Sequence, residues 1–160
     1  MRASSLFFPL LALVTAPAFA QDSFPLGPDA QLTPGSLCNQ GYQYRYSEHI
    51  RYCPRSVTGS TKKRVIDDYD RTLGYQVGSQ PRREFKIDHY FPLCMGGSNE
   101  PDNLWPQHES VYVHTDPIEG MACDKMNAGR LKQSDAIELI KRAKSSVENA
   151  IEVEAYVRNL

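Results

Sequence analysis

Asp88-His89, Gly96-Gly97 and Asn103 put an acid, an imidazole, two glycines and a carboxamide close together in one segment. Each type has a use in a reactive centre. A carboxylate suits a hard cation such as magnesium. An imidazole titrates near neutrality and can take a proton from water. On a regular strand, Asp88 and His89 would point to opposite faces, so they converge only if the strand ends there. Phe91-Pro92 and Gly96-Gly97 supply that ending, because glycine adopts backbone angles that other residues resist. Asn103 begins the returning segment. A short hairpin with a helix packed beneath it would bring Asp88, His89 and Asn103 into one small site. The plainer readings are a surface ion pair for Asp88 and His89, a turn cap for Asn103 and a core position for Trp105.

The elements that must position these groups can be read from periodicity. "REFKIDHYF" reads as a strand with Phe85 and Ile87 on one face. "GGSNEPDN" is a loop, and "NLWPQ" is a second extended piece ended by Pro106. Upstream, "YQYRY" alternates aromatic with polar residues, as a half-buried strand does; a base-stacking surface is the other reading. Ser60 or Thr61 can cap a helix that stops at Gly74. "TDPIE" is a helix start, with Asp116 as cap, Pro117 at the first helical position and Glu119 closing a capping box. That helix should end near "MNAGR". From Ser134, the apolar positions Ala136, Ile137, Ile140, Ala143, Val147 and Ile151 predict one long amphipathic C-terminal helix. Hairpin elements followed by helices make an α+β fold.

The N-terminus carries a different signal. Arg2, the apolar run that follows and "AFA" before Gln21 have the layout of a cleaved export signal. Residues 1–20 are read as that signal, residues 21–37 as an irregular arm outside the packed body, and residues 38–160 as a single domain. The arm has three prolines and two glycines. Without the signal, 17 Lys and Arg stand against 19 Asp and Glu, a net charge of −2 that excludes coating nucleic acid by charge alone. Between Gly41 and Tyr90 the balance reverses, with ten basic against six acidic residues, including "KKR" at 62–64 and "RRE" at 82–84. Arg82, Arg83 and Lys86 flank the Asp-His pair and are the candidates for a phosphate contact, against a reading as solvated surface. The four cysteines allow three pairings, of which Cys38–Cys53 and Cys94–Cys123 is favoured. No C-x-x-C pair is present, which argues against a structural zinc module.

"IDHYFPLCMGGSNEPDNLWPQ" resembles the core of the HNH nuclease family, most closely a bacterial branch, often exported, with D-H-x-x-P-L-x-x-G-G-S-N and then N-L-W-P. "TDPIEGMACDKMNAGRLKQSDAIELI" is similar to that branch's K-D-x-x-E helix, its cysteine and its final Ala-rich helix. The likeness spans residues 83–142, with a fainter echo from Leu37 to Gly74. It implies a ββα-metal (His-Me finger) core with additional helices and a disulfide-stapled N-terminal region. It further implies Asp88 as ligand to one divalent ion, magnesium first and manganese or zinc as alternatives. His89 would be the general base, and Asn103 would hold the loop and orient His89. The implied reaction is hydrolysis of phosphodiester bonds in DNA, RNA or both, with metal and base sharing the work. Two departures stand out. Where the family places a His or Asn ligand in the helix, this chain has Tyr112, so His114, then His108, then Asp116 are the candidates for the further ligand. Cys94 stands where the branch has an acid. The resulting expectation is a secreted or periplasmic monomeric endonuclease that acts on nucleic acid, contacts no membrane once mature, and leaves an inhibitor or immunity partner open. The alternative is a non-catalytic, disulfide-stabilised extracellular binding module on the same scaffold.

Overall fold

The charged run after Thr58 forms a helix because its ends are well signalled. The Thr58 side chain accepts from the Thr61 amide, and Gly74 closes the helix in the left-handed conformation at φ 76°. Lys63–Asp67 and Arg64–Asp68 pair one turn apart, and Arg71 also reaches Asp68. Much of the basic surplus read from "KKR" is therefore answered within this helix. Its other face buries Val65, Ile66 and Tyr69.

The computed structural model describes residues 23–160. The expected export signal at 1–20, and Gln21 as first mature residue, lie outside the described residues. Along the chain come β1 (Gln43–Arg45), β2 (Ile50–Tyr52), α1 (Gly59–Leu73), β3 (Phe85–His89), β4 (Leu104–His108), α2 (Glu109–Asn127), α3 (Gln133–Ala143) and α4 (Val147–Arg158). The fold is mixed α+β, with two separate antiparallel hairpins, β1–β2 and β3–β4. In the second, Asp88 lies opposite Trp105 and His89 opposite Leu104. Pro106 sits inside β4 rather than ending it; a two-stranded hairpin has free edges that tolerate the missing N–H. β1 is exposed throughout, not half-buried, with Tyr44 at 52% exposure.

Two apolar clusters form. Val65, Ile66, Tyr69, Phe85, Ile87, Leu104, Trp105 and Val111 join α1 to β3–β4. Ile118, Ala122, Met126, Ala136, Ile140, Val153 and Val157 join α2, α3 and α4, with Met95 from the β3–β4 connection. Both favoured disulfides, Cys38–Cys53 and Cys94–Cys123, are formed. The second fastens the β3–β4 connection to α2. Disulfides of this kind belong to oxidising compartments. Among the described residues, no helix is long and apolar enough to cross a membrane.

Three expectations need correction. Helix α2 starts at Glu109, not at Asp116, because the chain passes straight from β4 into the helix with His108 as cap; Pro117 is accommodated inside it. Proline leaves Val113's carbonyl without its helical donor, and Val113 is exposed to water, which offsets the loss. The single long C-terminal helix is two helices. Ser146 breaks it by capping α4, its side chain accepting from the Asn149 amide. Finally, the arm is irregular but packed. Thr33 is fully buried and donates to the Leu104 carbonyl at 2.9 Å, while Tyr69 supplies its hydroxyl to Thr33 at 2.8 Å. Side-chain bonds fix a proline-rich segment that has no regular ladder of its own.

Candidate active site

Asp88 and His89 are buried neighbours at the end of β3. Their side chains meet different partners, as strand alternation demands. The Asp88 carboxylate is held from two sides. Lys144 Nζ lies 2.9 Å from Oδ2, and Lys86 Nζ lies 3.3 Å from Oδ1. Lys144 is completely buried; it also sits 2.6 Å from Glu119 Oε1 and donates to the His89 carbonyl at 2.5 Å. The Glu119 contact is an ion pair without hydrogen-bond alignment. One oxygen each from Asp88, Asp116 and Glu119 lie within 4.8 Å of one another. Asp116 and Glu119 rise from one face of α2, three residues apart.

The titrations follow from this geometry. Burial alone would push the Asp88 carboxyl up, but Lys144 and then Lys86 outweigh it and hold the carboxyl below its ordinary range. Burial pushes Glu119 up to about 7; Lys144 opposes the shift, and the negative charge of Asp88 adds to it. Burial would lower the Lys144 ammonium, yet Asp88 and Glu119 more than reverse that and raise it. The His89 imidazole is lowered by burial first, with Arg55 adding to the effect and the Asn99 hydrogen bond opposing it.

His89 Nε2 lies 3.1 Å from Asn99 Oδ1. That oxygen also accepts from the Ser56 amide at 3.1 Å, and the Asn99 amide group donates to the Pro54 carbonyl at 2.9 Å. The orientation of Asn99 is thereby fixed, so it accepts from a protonated Nε2 and leaves Nδ1 with the lone pair. Asn103 does not touch the imidazole. Its Oδ1 accepts from the Phe91 amide at 2.8 Å, and its Nδ2 donates to the Phe91 and Ser98 carbonyls at 3.0 and 2.9 Å. It braces the loop, and the imidazole contact expected of it is made instead by Asn99. Gly97 permits this closeness, since a Cβ there would meet the Phe91 carbonyl oxygen at 1.8 Å; Gly96 turns with φ 84°.

The histidines expected as further ligands are elsewhere. His108 pairs with Phe85 at the far end of the hairpin, caps α2 and stacks on Phe24 at 4.0 Å between centroids. His114 lies two residues before Asp116, roughly 200° around α2. Neither belongs to the carboxylate group; Asp116, ranked third from sequence, does. Arg82 and Arg83 are exposed, Arg83 beside Glu84 at 3.7 Å, and Lys86 is turned toward Asp88 and Asp116. Sequence reasoning missed Lys144, Glu119 and Asn99 as members of the site. A signal for Lys144 existed: it falls on the apolar face set by Ala136 and Ile140 at helical spacing.

A group of three carboxylates, buried at Asp88 and open to solvent at Asp116, offers the hard oxygen donors that magnesium or manganese prefers. Soft or imidazole donors are absent from it. Two cavities reach partners of the pair, Asn99 beside His89 and Lys144 beside Asp88. One of about 480 Å³ is lined by Asn99, Ser98, Ser56, Thr61 and Arg64. The other, of about 390 Å³, is lined by Tyr69, Tyr75, Tyr90, Lys141 and Lys144. No protein family, curated protein or solved structure matches the chain.

Proposed function

We propose that the protein is an exported, metal-dependent endonuclease that hydrolyses phosphodiester bonds of DNA or RNA, built on a ββα-metal core formed by β3, β4 and α2. The observation that carries this reading is the adjacency of Asp88, inside a three-carboxylate group, to His89, whose Nε2 is locked by Asn99. His89 is the general base. Burial disfavours the imidazolium, so the ring is neutral at neutral pH, and Nδ1 takes the proton from the attacking water. Asn99 steadies the tautomer before the transfer, and its oxygen supports the charge afterwards. Asp88, Asp116 and Glu119 hold the divalent ion. When bound, that ion supplies positive charge to the phosphate and to the leaving oxygen. Asn103 keeps the loop that carries Asn99 at its distance from β3. The cavity beside Asn99 gives the backbone of the substrate room.

The test is direct. The oxidised protein should nick plasmid DNA or degrade RNA with magnesium or manganese and stop with a chelator. His89→Ala should abolish cleavage with its thermal melting transition retained. Cleavage that survives in a folded His89→Ala protein removes His89 as base. A second reading, a non-catalytic binding module on this scaffold, is favoured by one observation: each of the three carboxylates already has a lysine ammonium against it. Binding of nucleic acid without cleavage under every divalent ion tried would select it.

A further inference from the structure

We propose that Lys86 is an intramolecular competitor for the divalent ion: its ammonium occupies the open side of the carboxylate group and leaves when the ion binds. The inference rests on the reading that Asp88, Asp116 and Glu119 hold that ion. Lys86 Nζ is 2.5 Å from Asp116 Oδ1 and 3.3 Å from Asp88 Oδ1, so it bridges two of the three carboxylates. Strand alternation puts residues 86 and 88 on one face of β3, which lays the lysine stem alongside Asp88.

The two lysines divide the carboxylate of Asp88 between them. Lys144 takes Oδ2, is fully enclosed and is pinned by Glu119 and the His89 carbonyl, so it has nowhere to go. Lys86 takes Oδ1, and its side chain is 32% exposed. Its ammonium also lies 5.0 Å from the centroid of the Tyr112 ring. A flexible four-carbon stem with an exposed flank can swing into solvent. Its departure removes one positive charge and frees an oxygen of both Asp88 and Asp116 on the side from which an ion enters. Lys86 thus sets how much metal the protein needs.

The experiment uses the full, disulfide-intact protein and Mn²⁺ as probe, followed by titration calorimetry without substrate. Lys86→Met should bind Mn²⁺ roughly tenfold more tightly than the parent, as expected for two partly exposed ion pairs no longer opposing entry. Arg83→Met, which removes an exposed charge paired to Glu84, should change affinity by less than about twofold. Asp116→Asn should remove the binding heat, which assigns it to this group. In the parent protein, Mn²⁺ should speed acetylation of Lys86, read by peptide mass spectrometry, and leave that of Lys63 unchanged. Lys86→Gln serves if Lys86→Met does not fold.

Equal affinity of parent and Lys86 variants overturns the proposal and leaves the metal site standing. Tighter binding without any change in Lys86 acetylation also overturns it, because the effect is then repulsion at a distance. Binding heat that persists in Asp116→Asn, or none in parent and Lys86 variants alike, removes the metal site and the competitor with it. Binding that appears only in the Lys86 variants supports the proposal in its strongest form.

Discussion

Asn99 decides which nitrogen of His89 carries the proton, and the rest of the proposed chemistry depends on that choice. Asn99→Ala should lower cleavage on the order of 10–100-fold, as loss of an orienting partner does, with metal affinity unchanged. Asn99→Asp should act differently. A carboxylate there favours the imidazolium and raises the pKa of His89, so the acid limb of the pH–rate profile should move to higher pH. In the parent, burial lowers that pKa from the ordinary 6.5, so the acid limb of kcat/KM should lie below 6.5. A parent limb at or above that value would contradict a buried His89 as the base. Asp88 and His89 were legible in the sequence because their types, their neighbours and the turn after them all agree. Asn99 was not, because it follows two glycines in a loop, where turn chemistry is already a sufficient reason for an asparagine.

At the scale of elements, Lys144 joins the end of α3 to the end of β3. It is the last residue of the helical pattern from Ala136 before Ser146 caps α4. An ammonium at the apolar position after Ala143 must meet carboxylates, and the chain then turns at Ser145 and Ser146 into α4. Lys144→Ala leaves Asp88 and Glu119 without that cation. Denaturant unfolding should show a loss of about 3–5 kcal/mol, as for a broken buried pair. A loss under about 1 kcal/mol would mean that water already solvates the group. Glu119 has its own signature. Its folded pKa is raised to about 7 from 4.5, so the folded chain holds a proton that the unfolded chain has released in that interval. Stability from this group is full below 4.5 and falls as pH rises through about 7. Glu119→Gln keeps the shape and cannot titrate. Relative to Glu119→Gln, the unfolding midpoint of the parent should therefore drop between pH 4.5 and 7; a constant difference would contradict the raised pKa. Capping rules placed the start of α2 at Asp116 because they are local, whereas the length of β4 fixed the real start at Glu109. They did put Asp116 and Glu119 on one helix, which is what the site needs.

At the scale of the molecule, two apolar clusters meet along a polar seam that contains Asp88, Lys144 and Glu119, and disulfides and the arm hold the parts together. That the cysteines pair was legible from composition, since an export-like N-terminus and an even cysteine count point to it, and of the three allowed pairings the favoured one is formed. The packing of the arm was not, because proline and glycine report only that a segment is irregular, not whether it is buried. Tyr69 is the hinge of that packing. Burial is the main reason its hydroxyl is pushed up to about 12, and the group stays protonated while it donates to Thr33. Thr33 in turn donates to Leu104 on β4, so one chain of bonds runs from α1 through the arm to the hairpin. Thr33→Val keeps the volume and removes both contacts, leaving the Leu104 carbonyl without this donor and the Tyr69 O–H without an acceptor, although its oxygen still accepts from the Asp29 amide; this costs about 1–3 kcal/mol. Tyr69→Phe removes the same link from the other end. If the arm is an integral part of the fold, the double substitution should cost less than the two single ones added together, because the second change has only half the chain left to break. Midpoints and slopes of urea unfolding for the four proteins measure this. Single substitutions that leave the midpoint unmoved would make the arm the loose leader that the proline count suggests, and the hairpin carrying Asp88 and His89 would then rest on α1 and α2 alone.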